Sequence, residues 1–94
     1  MSAADSLGYD ETPYPSAPYP YSHPDHLAIV ARLFGIAAAS AENCRVPEVG
    51  CADGANLIPM ALTLANSRFV GIDLSQRQIA TGREVIARLG LTNI

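Results

Sequence analysis

"PEVGCADGANLIPMAL", Pro47–Leu62, decides how this 94-residue sequence is read. Val46 and Val49 lead into a run of small residues, Gly50-Cys51-Ala52-Asp53-Gly54, after which apolar residues recur at helical spacing. That order predicts a short strand over 45–50, a turn over 50–54 and a helix over 55–66. Leu57, Met60 or Ala61, and Leu64 would line the buried face of the helix. Pro59 fits only in the first turn, where a missing N–H costs nothing, and Asn66 is the expected C-terminal cap. Pro47 is a departure, because proline inside a central strand removes a ladder donor. A weakened or bulged strand is expected there.

Downstream, "RFVGIDL" (68–74) places Phe69, Val70 and Ile72 in a near-continuous apolar run, the mark of a parallel strand covered on both faces. Ser75 and Gln78 form a capping box that opens a helix through Leu89, and Gly90 ends it. "LTNI" (91–94) reads as the start of a third strand. Upstream, Ser22 and Asp25 make a capping-box-like start to another helix, in which Leu27, Val30 or Ala31, Leu33 and Phe34 recur and Gly35 is the stop. Residues 36–44 read either as an extension of that helix or as a loop. Strands alternating with helices predict right-handed βαβ crossovers and an α/β fold, the N-terminal part of a Rossmann-like parallel sheet. The order is helix-β-α-β-α-β start, and the sheet is incomplete.

Residues 1–21 interleave Pro13, Pro15, Pro18 and Pro20 with Tyr14, Tyr19 and Tyr21. Proline fixes φ and biases its predecessor to extended geometry, so an extended or disordered lead-in is expected, ahead of a domain over 22–94. A more specific reading makes Tyr14, Tyr19 or Tyr21 a lid over a pocket.

The formal charge of −3 excludes a basic footprint, so no nucleic-acid partner is indicated. Its distribution is uneven: Asp5, Asp10, Glu11 and Asp25 fall in the first 25 residues, where there is no Lys or Arg. No apolar run reaches a membrane span, and no cationic segment precedes an apolar one at the start, so a cytoplasmic chain is expected with no membrane partner. Cys44 and Cys51 lack zinc spacing, and His23 with His26 lacks a third ligand, so no metal is expected. Capping or solvated histidines are the simpler reading.

The chemistry falls at the carboxyl ends of the two strands, where parallel sheets bind ligands. Small residues at 50–54 let a ligand approach the backbone, and Asp73 follows Gly54 by 19 positions at the end of the neighbouring strand. An acid there can accept hydrogen bonds from both ribose hydroxyls. Two cofactors compete. Gly50, Ala52 and Ala55 match only the spacing of a nicotinamide-type G-x-G-x-x-G/A loop. Glu48, Gly50, Ala52 and Gly54 match an acid followed by G-x-G-x-G, as for S-adenosyl-L-methionine. Glu48 separates them: a carboxylate repels a pyrophosphate but suits a cationic amino group and sulfonium. Ala52 stands where a middle glycine is usual, which is harmless at negative φ and strained at positive φ. Cys51 reads as a small loop residue, since no His or Lys is placed to activate it.

At these residues the sequence resembles the class I S-adenosylmethionine-dependent methyltransferases. "EVGCADG" is similar to their first motif and "FVGIDLS" to their second, while "NLIPMAL" and "SQRQIATGREVIARLGLTNI" are similar to the accompanying helices. The Tyr/Pro-rich lead-in with "SHPDHLAIVARLFG" resembles a bacterial subgroup whose members often carry a methyltransferase regulatory domain. The resemblance covers most of 12–94. It implies that Gly50, Cys51, Ala52 and Gly54 border the methionine part of the cofactor. Glu48 would help place the amino group, Asp73 would hold the ribose, and Leu74 would pack on the adenine. No catalytic residue is assigned, and the methyl acceptor stays open between protein and small molecule.

The resemblance also implies that the chain corresponds to an N-terminal fragment, without later strands or an acceptor pocket. A cofactor-binding portion inactive alone is the expected function. The alternatives are an NAD(P)-binding fragment of an oxidoreductase and a non-catalytic module that pairs with a partner chain.

Overall fold

A computed structural model describes residues 17–94. Most of the Tyr/Pro-rich lead-in, Tyr14 included, lies outside the described residues. Its last residues are not extended: Pro20–Ser22 form one 3-10 turn. Helix α1 follows at Pro24–Leu33, then β1 at Arg45–Val49, α2 at Leu57–Thr63, β2 at Arg68–Ile72 and α3 at Gln76–Leu89.

β1 and β2 pair in parallel, with Arg45 opposite Arg68 and Val49 opposite Ile72. The expected βαβ unit is therefore present, with α2 as its crossover. Phe69 on β2 packs with Leu57, Met60 and Ala61 of α2 to form the core, and Val46, Leu64, Leu91 and Ile94 close around it. "LTNI" is docked but is not a strand. The Phe69 N–H donates to the Asn93 carbonyl at 2.8 Å, a single bond on the β2 edge away from β1. The Asn93 carboxamide nitrogen lies 3.0 to 3.1 Å from the carbonyls of Ala61, Leu64 and Ser67. These carbonyls lie where α2 and its following turn end, and that of Leu64 also accepts from Ser67 N–H at 3.0 Å.

Pro47 leaves β1 unbroken, contrary to the expected bulge. The Cys44 carbonyl accepts from Arg68 N–H, and the Gly50 N–H donates to the Ile72 carbonyl. Backbone groups in a parallel strand alternate sides, so 44, 46, 48 and 50 face β2 while Pro47 faces the outer edge. Its missing donor costs the β1–β2 ladder nothing.

Helix ends differ from expectation at the start of α1 and the end of α2. His23, not Ser22, caps α1: its Nδ1 accepts from Asp25 N–H at 3.1 Å. Ser22 is occupied instead in donating to the Tyr19 carbonyl. α2 is shorter than expected: it ends at Thr63, and the next residue, Leu64, leaves the helical region with a ψ of 71°, so Leu64 and not Asn66 is the cap. Pro59 does fall in the first turn of α2, as required. The Ser75 cap on Gln78 N–H and the left-handed Gly90 (φ 66°) are as expected for α3. α1 is helical as predicted, but Leu27, Leu33 and Phe34 stand exposed because its main neighbour is the 3-10 turn.

Candidate functional site

The loop between β1 and α2 turns through three left-handed residues at alternate positions, with φ of 77° at Gly50, 53° at Ala52 and 84° at Gly54. Glycine takes such values freely, and alanine does so under strain. The alanine is the strained position anticipated if φ were positive, and the bonds around it hold it there. Gly50 and Cys51 N–H both donate to the Ile72 carbonyl, at 2.7 and 3.1 Å, so the loop leaves β1 still tied to the end of β2. Ala52 N–H then donates to Asp73 Oδ2 at 2.8 Å. The other Asp73 oxygen, Oδ1, accepts from Ser75 N–H at 2.8 Å. One carboxylate thus joins the loop to the start of α3.

Packing fixes the loop from below. A Cβ on Gly71 would lie 2.6 Å from Cys51 Sγ, and one on Gly82 would lie 2.6 Å from the Asp53 carbonyl oxygen. β2 and α3 can therefore approach the loop only because both positions are glycine. Burial and the nearby Asp73 and Glu48 carboxylates push the Cys51 thiol above its ordinary pKa of 9.0. It stays protonated and is no nucleophile.

Glu48 lies on the face of β1 toward α2. Its Oε2 accepts from Asn56 Nδ2 at 2.6 Å, while its Oε1 is buried without a hydrogen-bond partner. Asn56 is itself buried, and its Oδ1 accepts from Tyr19 N–H at 2.7 Å. The segment before α1 is thereby connected to the motif acid through one carboxamide.

Six of the seven residues singled out in the sequence (Glu48, Gly50, Cys51, Ala52, Gly54 and Asp73) are in or against this loop. Leu74 stands apart with 56% of its surface exposed. A cavity of about 470 Å³ runs under α3, where Cys51, Asp53, Gly54 and Asp73 meet apolar Phe69, Ile79 and Ile86. Glu48 and Leu74 do not line it. Asn56, Gly71 and Gly82 gave no signal in the sequence. Asn56 looks like one more small polar residue after the turn, and only the fold shows what the two glycines approach. Among the described residues no group of three or more His, Cys, Asp or Glu is placed to hold a metal, and no helix is long and apolar enough to cross a membrane.

A family profile described as "Methyltransferase domain" matches residues 40–94, which contain the whole loop and both strands. The chain belongs to this methyltransferase domain family. The chain is 34% identical to PKMT2 from Rickettsia typhi, whose structure in complex with AdoHcy superimposes with a TM-score of 0.79. The match covers 86% of the chain and 16% of that protein. A second structure of the same protein gives the same TM-score over 85% of the chain. Among curated sequences, the uncharacterized protein RP789 of Rickettsia prowazekii is 48% identical over 93 residues, 99% of the chain. RP028 of the same organism is 32% identical over 94 residues, 100% of the chain. The chain spans 17% of the first relative's length and 38% of the second's. Family membership decides against the oxidoreductase alternative. The fold, with its parallel β1–β2 pair and helical crossover, is that of the N-terminal part of a Rossmann-like methyltransferase.

Proposed function

We propose that this chain is the S-adenosyl-L-methionine-binding portion of a class I methyltransferase. The observation that carries the proposal is the buried, unpartnered Oε1 of Glu48 beside the loop. A buried carboxylate oxygen without a donor is costly, and a cationic amino group would satisfy it. A pyrophosphate would worsen it.

The remaining residues fit the same ligand. Each Asp73 oxygen accepts one backbone N–H, which leaves lone pairs for the ribose hydroxyls. Gly50 has no heavy atom within 4 Å of where a Cβ would be, so a ligand can reach the backbone on that side. Exposed Leu74 offers an apolar surface for the adenine, and the backbone of Cys51, Ala52 and Gly54 borders the methionine part. AdoHcy in PKMT2 supports this reading. The cofactor supplies the activated methyl group, and the chain's residues supply binding and orientation.

Transfer itself needs an acceptor site. The chain alone binds cofactor without turnover, in a cytoplasmic setting, and works with further sheet strands from the same polypeptide or a partner chain. The acceptor is a protein or a small molecule. Calorimetry of the 94-residue chain with S-adenosylmethionine and with NAD tests the cofactor: heat with the first and none with the second is expected, and the reverse overturns the reading. Labelled methyl transfer to any acceptor by this chain alone would overturn the inactivity.

A further inference from the structure

Asn56 bonds through both ends of its carboxamide. Oδ1 accepts from Tyr19 N–H at 2.7 Å, and Nδ2 donates to Glu48 Oε2 at 2.6 Å and to Ser22 Oγ at 3.1 Å. Ser22 Oγ in turn donates to the Tyr19 carbonyl at 2.8 Å, which closes the 3-10 turn on itself. A carboxamide has two ends, and only one of them can face a carboxylate without repulsion. The Tyr19 N–H can pair only with the oxygen end. The docked turn therefore selects the flip that offers an N–H to Glu48. With Oε2 so held, Oε1 is the oxygen left buried without a hydrogen-bond partner.

We propose that Asn56 is a positioning residue of the cofactor site, coupling docking of the Tyr19–Ser22 turn to occupancy beside Glu48. The inference rests on the cofactor reading above. A ligand amino group on Oε1 holds the Glu48 side chain in the orientation that Asn56 recognises, and this favours the docked turn. By linkage the docked turn strengthens the ligand to the same degree. An Asn56 that merely filled the core would contribute stability without this reciprocity.

The test combines hydrogen exchange over residues 19–27 with S-adenosylhomocysteine titration, on the 94-residue chain. In the unsubstituted chain, ligand should slow exchange of those amides by about fivefold or more. In Asn56→Ala the segment should exchange rapidly with and without ligand, and affinity should fall about tenfold. Ser22→Ala, which leaves the buried carboxamide in place, should reduce the ligand-dependent protection and decides the matter if Asn56→Ala does not fold. Binding that leaves exchange of the segment unchanged overturns the coupling and spares the cofactor reading. Failure of the unsubstituted chain to bind S-adenosylhomocysteine overturns both.

Discussion

Ala52 donates its N–H to Asp73 Oδ2 at 2.8 Å while held at φ 53°. The strained residue of the loop and the acid at the end of the neighbouring strand are thus one unit. The carboxylate offsets the strain and in return is fixed in place. Asp73 therefore orders the loop before any ligand arrives.

Ala52→Gly should relieve the left-handed strain. An L-residue in that region costs about 1–2 kcal/mol, and part of the gain is offset by the greater freedom of glycine in the unfolded chain. Urea denaturation should show a net stabilisation of about 1 kcal/mol. A destabilised variant would mean that Ala52 does not adopt this conformation.

Asp73→Ala should cost about 2 kcal/mol, because two backbone donors lose a charged acceptor at once. Asp73→Asn retains an oxygen for one of them and should lose less. Equal losses in chemical denaturation would contradict the two-sided role of the carboxylate.

The strand-turn-helix at 47–62 and the second strand were legible because their signals are local: apolar runs, small turn residues, a proline confined to a first turn. So was the placement of Asp73 against the 50–54 loop, which depends on spacing along a βα unit. What was not legible depends on direction and distance in space. Whether Pro47 weakens β1 depends on which way its nitrogen faces, and that parity is set only once the register with β2 exists. Gly71 and Gly82 look like ordinary glycines until Cys51 and the Asp53 carbonyl are brought beneath them. His23 displaced Ser22 as a cap because Ser22 was already bonded within the preceding turn.

Pro47→Leu should accordingly be close to neutral, within about 0.5 kcal/mol, since the proline is exposed and faces no β2 acceptor. A stabilisation well beyond that in denaturant titration would restore the weakened-strand expectation.

Gly82→Ala sets helix propensity against packing. Alanine favours the helix by about 1 kcal/mol. A Cβ placed 2.6 Å from a backbone carbonyl oxygen forces α3 away from the loop. Overpacking of that kind costs about 1–3 kcal/mol, so the variant should be destabilised on balance. A higher melting temperature would show that α3 does not press on Asp53.

Cys51 predicts a pH dependence. Its folded pKa is raised above 9.0, so above that pH the unfolded chain releases a proton that the folded chain keeps. The contribution to stability is flat below about pH 8 and declines as pH rises past 9.0. Melting curves across that window should show the decline in the native sequence and a shallower one in Cys51→Ala. Identical slopes would contradict burial of this thiol near the Asp73, Glu48 and Asp53 carboxylates.

The most direct measurement is calorimetric titration of S-adenosylhomocysteine into the chain and into Glu48→Gln, with circular dichroism confirming that both fold alike. Glutamine keeps an oxygen for Asn56 and removes the charge, so only the interaction with a cationic group is lost. Saturable binding is predicted for the native sequence, weakened about tenfold or more in the variant. Equal affinity in both chains, or no binding by either, would contradict the role of Glu48 in holding the cofactor.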